Sequence, residues 1–454
     1  MADQINFAKL SGDINPIHMN PLTARRTLSG QCIVHGMHTL LWALESLLRE
    51  KSLSFSEVTV VFRKPVFLDE DISCVWIKEN NQLLLTKEKT TLVEIRVKNK
   101  APKPNNNNPT NIFPLRKKPQ QPTFEDCTQF LNQPFGIYGD TNLANTLFPL
   151  VSAKLGSLVV NELAGISQII GMECPGLHSL FTSLTASFRP NNKTNPDFSV
   201  KRHDARFGLL HIAIEGNSLQ ASSQAFLRPS PVLNKNISEL PDFVHKNEFK
   251  NSSALIIGGS RGLGELVAKL IAVGGGEPII TYSVGKLEAE SLRDEILAWG
   301  GKCKIMQLTV DKFSTLPTNM KIINQLYYFA TPKIFGKRNT SFDIDLKRKF
   351  TDIYVDGFEN ICKSIIKQNI PASVLYPSTV AIDEPIPDLL EYISAKEEGE
   401  KTCHILNKNK FLHILTPRLP RLDTDQTVSI IKVDTADTIE IMLPLVREMQ
   451  RPKY

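Results

Sequence analysis

A chain of 454 residues is too long for one ordinary core at about 150 residues per domain, and its 41% hydrophobic and 22% charged content is that of a folded globular protein. The 53 basic and 47 acidic residues leave a net charge of +6, and no long basic run carries interleaved aromatics, which argues against nucleic acid and favours small anionic ligands or an acidic carrier protein. Seven scattered cysteines form no C-x-x-C pair, so neither a zinc site nor a disulfide framework is expected.

The first residues, MADQINFAKLSGD, lack the basic and apolar regions of a signal peptide, and no segment reaches 18 consecutive apolar residues. No membrane span and a cytoplasmic location are expected. Residues 10–20, LSGDINPIHMN, place Asp13 and His18 five residues apart around Asn15-Pro16. Asn-Pro makes a fixed turn, and Ile14 and Ile17 are apolar enough to seek burial. The stretch is therefore predicted to hold its Asp and His in place.

Residues 36–50, GMHTLLWALESLLRE, carry Leu40, Leu41, Leu44, Leu47 and Leu48 at helical spacing. Four strand-like runs follow, EVTVVFRKPVF, DISCVWIKEN, QLLLTKEK and LVEIRVK, with a turn at Asn80-Asn81, and predict an antiparallel meander. Residues 101–122 are rich in Asn and Pro, show neither period, and read as a linker. The order then repeats. Residues 154–172, KLGSLVVNELAGISQIIGM, predict a long apolar helix, and HSLFTSLTASFRP, FSVKRHDARFGLLHIAIEG and LQASSQAFLRP predict strands. Residues 1–100 and 123–230 are thus expected to be two domains that copy one fold, with 231–250 a second linker.

Residues 251–454 open with an apolar strand that runs into Gly258, Gly262 and Gly264 and on into an apolar-periodic helix, SSALIIGGSRGLGELVAKLI. Such glycines let the backbone approach a pyrophosphate at the helix N-terminus. Gly258, Ser260, Arg261, Gly262, Leu263 and Gly264 are the candidate dinucleotide contacts. Downstream, SVLYPSTVAI carries Ser378 after an apolar strand, and EYISAK sets Tyr392 and Lys396 at i and i+4 on one helix face.

The run FAKLSGDINPIHMNPLTA, with VHGM at 34–37 and FRKPVFLDED at 62–71, resembles the MaoC family of R-specific enoyl-thioester hydratases. The resemblance implies a hot-dog fold, an antiparallel sheet wrapped on one long helix. It also implies that Asp13 and His18 share one water and move protons on one face of an enoyl or 3-hydroxyacyl thioester. Asn15 would tie the loop down, and backbone N–H groups near Gly36 would bind the thioester oxygen. His35 is read as structural. Residues 123–230 lack any D-x-N-P-x-H counterpart and are read as a degenerate hot dog that supports the first. Their GMECPGLHSLF resembles the place where the central helix gives way to the next strand, so His178 is also read as structural. Double hot dogs of eukaryotic hydratases are similar, with the catalytic half second rather than first.

Residues 251–450 resemble the short-chain dehydrogenase/reductase family, which implies a Rossmann-type doubly wound parallel sheet. In that family Tyr donates a proton, Lys lowers its pKa and holds the nicotinamide ribose, and Ser orients the substrate carbonyl. These roles fall on Tyr392, Lys396 and Ser378. Four positions depart from the pattern. Ile257 replaces the Thr before the first glycine, and Thr309 replaces an acidic residue after the third strand. YFAT at 328–331, with Phe329 in it, stands for NNAG, and Tyr354 stands for an Asn that props open a proton relay. No acidic residue follows the second strand before Glu288, and Arg261 and Lys286 are placed to meet a 2′-phosphate, so NADPH is the expected cofactor.

Together the resemblances imply an α+β double hot dog followed by an α/β domain. The expected activity is reduction of a 3-ketoacyl thioester and dehydration of the product, or the reverse hydration. The expected partner is an acyl-CoA or an acyl carrier protein, and the reductase-like domain is where a homo-oligomer would form. Two alternatives stay open: a silent reductase-like domain acting as scaffold or carrier-binding module, and a tailoring reductase for sugars or polyketides with a fused acyl-thioester domain.

Overall fold

Alternating and helical apolar patterns build two units with different sheets in the computed structural model. It describes residues 2–27, 29–100, 117–136, 140–189, 196–230, 232–311, 315–317, 323–332, 334, 342–424, 427 and 434–450. The first unit is Met1–Ser230 with Ser429–Ile431, and the second is Pro231–Val428 with Lys432–Tyr454. Of the linker expected at 101–122, residues 101–116 lie outside the described set.

In the first unit the leucine stripe forms the helix Gly36–Glu50, which buries Met37, Leu40, Leu41, Leu44 and Leu47. Around it lie β1 (Phe55–Phe62), β2 (Ser73–Ile77), β3 (Gln82–Lys87) and β4 (Thr90–Asn99). Asn81, at φ 48°, makes the tight turn between β2 and β3, a left-handed conformation that Asn tolerates. The second set is β5 (Gln133–Pro134), β6 (Ser179–Phe188), β7 (Asp197–Asp204), β8 (Leu209–Glu215) and β9 (Leu219–Leu227). All nine join one antiparallel sheet in the order β2-β3-β4-β1-β6-β9-β8-β7-β5.

That order carries an internal repeat. Outward from the centre, β1-β4-β3-β2 on one side matches β6-β9-β8-β7 on the other. The seam is β1 against β6, with Val58 opposite Ala186 and Val60 opposite Leu184, all buried. The four early strands are therefore not a simple meander: β1 leaves the series and lies beside β4.

Three other expectations need correction. The helix predicted over 154–172 is broken at Gly156, whose φ of 93° suits only glycine. One helix ends there, Pro149–Leu155, and another, Ser157–Gln168, begins and passes into a π-type turn at Ile169–Glu173. The run 198–216 is two strands, not one, split by a turn with Gly208 at φ 63°. Ile17 is 5% exposed as expected, whereas Ile14 is 36% exposed, since only one side of so short a turn can face the core. Among the described residues no single helix is long and apolar enough to cross a membrane.

The second unit has a six-stranded parallel sheet in the order β12-β11-β10-β13-β14-β16. Its strands are β10 (Ser253–Ile257), β11 (Glu277–Tyr282), β12 (Lys304–Gln307), β13 (Gln325–Tyr328), β14 (Ala372–Leu375) and β16 (Leu412–Leu415). A two-stranded patch pairs β15 (Ser378–Thr379) with β17 (Arg418–Leu419). β13 and β14 are buried along their whole length, the signature of strands covered on both faces. Strand order reverses direction between β10 and β13, opening a crevice beyond their carboxyl ends. The stretch read as a linker at 231–250 is packed instead: Ile237, Leu240, Val244 and Phe249 are buried in this unit's core.

A polar contact between helices helps to tie the halves of the first unit together. Glu45, 4% exposed on the first long helix, accepts the N–H groups of Leu150 at 3.0 Å and Val151 at 3.0 Å, at the start of Pro149–Leu155, where backbone donors lack helical partners. Glu45→Ala leaves those buried donors unpaired and is predicted to cost about 1–3 kcal/mol. Urea unfolding checks this, and an unchanged midpoint would show that the contact adds nothing.

Candidate active sites

Asp13 and His18 come together as the motif requires. Asn15 caps the short helix Pro16–Met19, accepting Ile17 N–H at 3.1 Å, and Pro16 at the first helical position fixes the turn. Asp13 is 1% exposed. Its Oδ1 accepts Asn15 N–H at 3.0 Å and its Oδ2 accepts the Ser167 hydroxyl at 2.7 Å. His18 gives its Nδ1 proton to Ile33 O at 2.8 Å, which leaves Nε2 as a lone pair facing Asp13 Oδ2 at 4.0 Å. That gap is too long for a direct hydrogen bond and suits a bridging water.

Burial pushes the Asp13 carboxyl above its ordinary value, with His18, Ser167 and Asn15 pulling the other way. Burial pushes His18 down, against the pull of Asp13 and the Ile33 carbonyl. His35 stacks on His18 with centroids 3.9 Å apart and donates from Nε2 to Asp13 O at 3.0 Å. Asp13, His18 and His35 bring ligand-type atoms within 4.8 Å of one another, but the His35 atom is already committed to that carbonyl. The cluster fits a water better than a metal.

The second half of the unit completes this site, which spacing could not foretell. Asn15 Nδ2 donates to Gly171 O at 2.8 Å and reaches Gly176 O and Leu177 O at 3.3 Å each. A Cβ at Gly171 would lie 2.5 Å from both Asp13 carboxylate oxygens, so only glycine leaves room. Gly36 opens the helix Gly36–Glu50, whose first turn has no side-chain cap. A Cβ there would sit 3.1 Å from Phe62 and 3.3 Å from Phe181, two rings packed 5.1 Å apart. Ser167, Gly171 and Phe181 were missed by sequence reasoning, because nothing in their neighbourhood marks them. His178 turns toward Ser230, with Nε2 3.2 Å from its hydroxyl.

In the second unit the glycine-rich turn follows β10 and leads into the helix Gly262–Val273. Gly258 and Gly262 have φ of 73° and 58°. A Cβ at Gly264 would lie 2.5 Å from Gly258 O, and one at Gly258 would lie 2.9 Å from Phe329 C. The turn is thus a bare-backbone cradle of the kind a pyrophosphate needs. Gly258 N–H donates to Thr281 Oγ1 at 3.1 Å. Ser260 is buried and Arg261 and Leu263 are half-buried around this turn. Lys286 starts the helix Lys286–Ala298 and is 65% exposed, with Glu290 at 3.8 Å. Thr309 pairs with Ser283, hydroxyl to hydroxyl, at 3.0 Å.

Tyr392 and Lys396 lie on the helix Leu390–Leu406, and there two expectations change. Ser378 does not face Tyr392: its hydroxyl donates to Glu400 Oε1 at 2.5 Å, and Arg418 holds that carboxylate at 2.9 and 2.7 Å. The hydroxyl bonded to Tyr392 is that of Thr379. Successive strand residues point to opposite faces, so the neighbour takes the place assigned to Ser378. Lys396 Nζ donates to Pro377 O at 2.7 Å and sits over the Tyr354 ring at 3.9 Å, the Tyr376 ring at 4.8 Å and the Tyr392 ring at 6.0 Å. Tyr354, in place of the Asn, bonds Thr331 at 2.5 Å. Burial pushes Tyr392 up to about 12, with the Thr379 hydrogen bond pulling the other way, the opposite of the direction expected for a tyrosine acidified by its lysine.

Residues 1–100 match the family model described as the MaoC like domain. No curated protein matches the chain. Among solved structures, a short-chain dehydrogenase/reductase from Serratia marcescens is 14% identical, with 45% of this chain and 93% of that one covered, at a TM-score of 0.40. An alcohol dehydrogenase from the archaeon Thermococcus sibiricus, complexed with 5-hydroxy-NADP, is 17% identical over 44% and 92%, at 0.38. An angucycline C-6 ketoreductase with bound NADP is 13% identical over 44% and 90%, also at 0.38.

Burial lowers Lys396 from 10.5 to about 7. From about pH 7 to about pH 10 the unfolded chain then holds a proton that the folded chain lacks, so stability of the second unit is predicted to rise with pH across that window. Lys396→Met removes the rise. Unfolding followed by Trp299 fluorescence, with Trp42 and Trp76 replaced by Phe, checks it; equal pH slopes in both proteins would refute it.

Proposed function

We propose that the chain is a bifunctional acyl-thioester enzyme, a hydratase or dehydratase joined to an NADPH-dependent 3-ketoacyl thioester reductase. In this reading residues 1–100 are a catalytic hot dog, 123–230 a supporting one, and 251–454 a Rossmann-type reductase domain. The observation that carries it is the 4.0 Å separation of His18 Nε2 and Asp13 Oδ2, two buried groups that one water can bridge. The MaoC like match over residues 1–100 supports the substrate class.

The proposed hydration proceeds on one face of the substrate. The bridging water attacks C3 of the enoyl thioester while one group of the pair accepts its proton, and a proton is returned to C2, so the elements of water are added without a cofactor. First-turn N–H groups at Gly36 face the thioester oxygen as it gains negative charge. Asn15 and Ser167 hold the acid and base in position. Asp13→Asn and His18→Ala are each predicted to lower hydration of crotonyl-CoA by about 10²-fold or more with the fold intact. Wild-type rates in both variants would remove the assignment.

For the second unit, the bare-backbone turn at Gly258, Gly262 and Gly264 fits the dinucleotide pyrophosphate, Arg261 and Lys286 are the residues proposed to meet a 2′-phosphate, and Tyr392 and Lys396 face the nicotinamide end. When bound, the reduced dinucleotide supplies the hydride. Tyr392 donates the proton to the substrate oxygen, Thr379 orients that oxygen, and Lys396 holds the ribose. A second reading, a silent domain serving as scaffold or carrier-binding module, is favoured by one observation: the Tyr354 ring, at 3.9 Å from Lys396 Nζ, fills the place of the relay Asn. Stopped-flow NADPH oxidation with acetoacetyl-CoA separates the two. The enzyme reading predicts turnover that Tyr392→Phe abolishes while NADPH binding, by calorimetry, is kept; binding without turnover in the wild type would favour the scaffold.

A further inference from the structure

Arg228 follows β9 directly and is 8% exposed. Its backbone N–H donates to His178 O at 2.8 Å and its Nε to Ser179 O at 3.1 Å. Among the described residues no carboxylate pairs with it, and burial alone depresses it, to about 10. The residues of this unit outside the described set contain neither Asp nor Glu, so they hold no counter-charge for it either. A buried cation without a charged partner is costly.

Its place in the fold connects it to the first candidate site. The segment 176–181 runs along the Asp13–His18 site: Gly176 O and Leu177 O approach Asn15 Nδ2, and the Phe181 ring lies beside Gly36. Arg228 is bonded to two of the three residues between, His178 and Ser179. Its charge reaches both His18 and His178, lowering each. The guanidinium is thus within electrostatic range of His18, one of the two proposed reacting groups.

We infer that Arg228 is a specificity residue for a carboxylate on the acyl group, so that the preferred substrates of the first unit are monothioesters of unsaturated or hydroxylated dicarboxylic acids. A guanidinium binds a carboxylate with two parallel hydrogen bonds, and its remaining N–H groups are uncommitted in the described structure. The inference rests on the hydratase reading above and adds the acyl class to it.

The test compares crotonyl-CoA with the CoA monothioesters of fumaric and glutaconic acid, using the full chain and its Arg228→Gln and Arg228→Lys variants. Expected is a wild-type kcat/KM at least about 10²-fold higher for one of the two acids than for crotonyl-CoA, lost in Arg228→Gln and partly kept in Arg228→Lys, with crotonyl-CoA rates within about threefold throughout. The urea midpoint of Arg228→Gln should be equal to or above that of the wild type, because an unpaired buried charge is removed. A wild type that hydrates crotonyl-CoA as well as either acid, or a variant that loses both substrates equally, overturns the inference and leaves the hydratase reading standing. A lowered midpoint overturns it too, since the guanidinium would then serve the fold. A wild type that hydrates no enoyl thioester overturns both.

Discussion

A carboxylate that is 1% exposed has to be held by something other than water, and the Asp13 side chain is held from the far half of the duplicated unit. Ser167 donates to it, and Gly171 approaches so closely that a single added carbon would lie 2.5 Å from both oxygens. Asn15 carries the loop across to the carbonyl of the same Gly171. The motif supplies the proposed reacting groups, while the Asp13 side chain is positioned by the packing of Ser157–Gln168 and the π-type turn after it. The first half alone offers the Asn15 N–H and lacks the Ser167 hydroxyl, the donor to the other carboxylate oxygen.

The duplicated topology explains how such a site can have only one set of reacting groups. Strands β1 and β6 pair across the centre of one continuous sheet, so each central helix is brought over the same surface and can reach across the seam. What the first half requires from the second is a small residue, a hydroxyl and several backbone carbonyls. None of these needs an Asp or a His, so the second half can lose an acid–base pair without losing its contribution. The Glu45 contact works in the opposite direction, the first helix capping a helix of the second half.

Periodicity made the long elements legible. Gly36–Glu50 is where its leucines put it, since five apolar residues on one face leave one way to bury them. The same signal failed at Gly156, where apolar content continues through a backbone turn that only the φ of glycine reveals. Strand order was hidden as well: four alternating runs predict four strands, and nothing local says that β1 pairs with β4 and β6 rather than with β2. Asp13 and His18 were legible because their motif is contiguous. Ser167 and Gly171 were not, being about 150 residues away in sequence with no pattern of their own. At Ser378-Thr379 two hydroxyls are adjacent, and spacing to Tyr392 does not say which one the strand points at it.

The directions of the two shifts in the first site separate the roles of its groups. A buried carboxyl drawn upward is inclined to keep its proton, and a buried imidazole drawn downward is inclined to lack one. Both shifts have the same first cause, removal of charge from water. Both shifts move the pair in the direction of a neutral acid opposite a neutral base, the way an environment separates acid from base without changing residue types. For the proposed hydration, these directions suit His18 to the proton taken from water and Asp13 to the one that C2 receives. Ser167 and the Asn15 N–H favour the ionised carboxylate and keep the shift of Asp13 from running further, so that after its proton is given up the anion is already solvated by fixed donors. Those donors come from both sides of the seam, which returns the acid–base chemistry to the packing of the two halves.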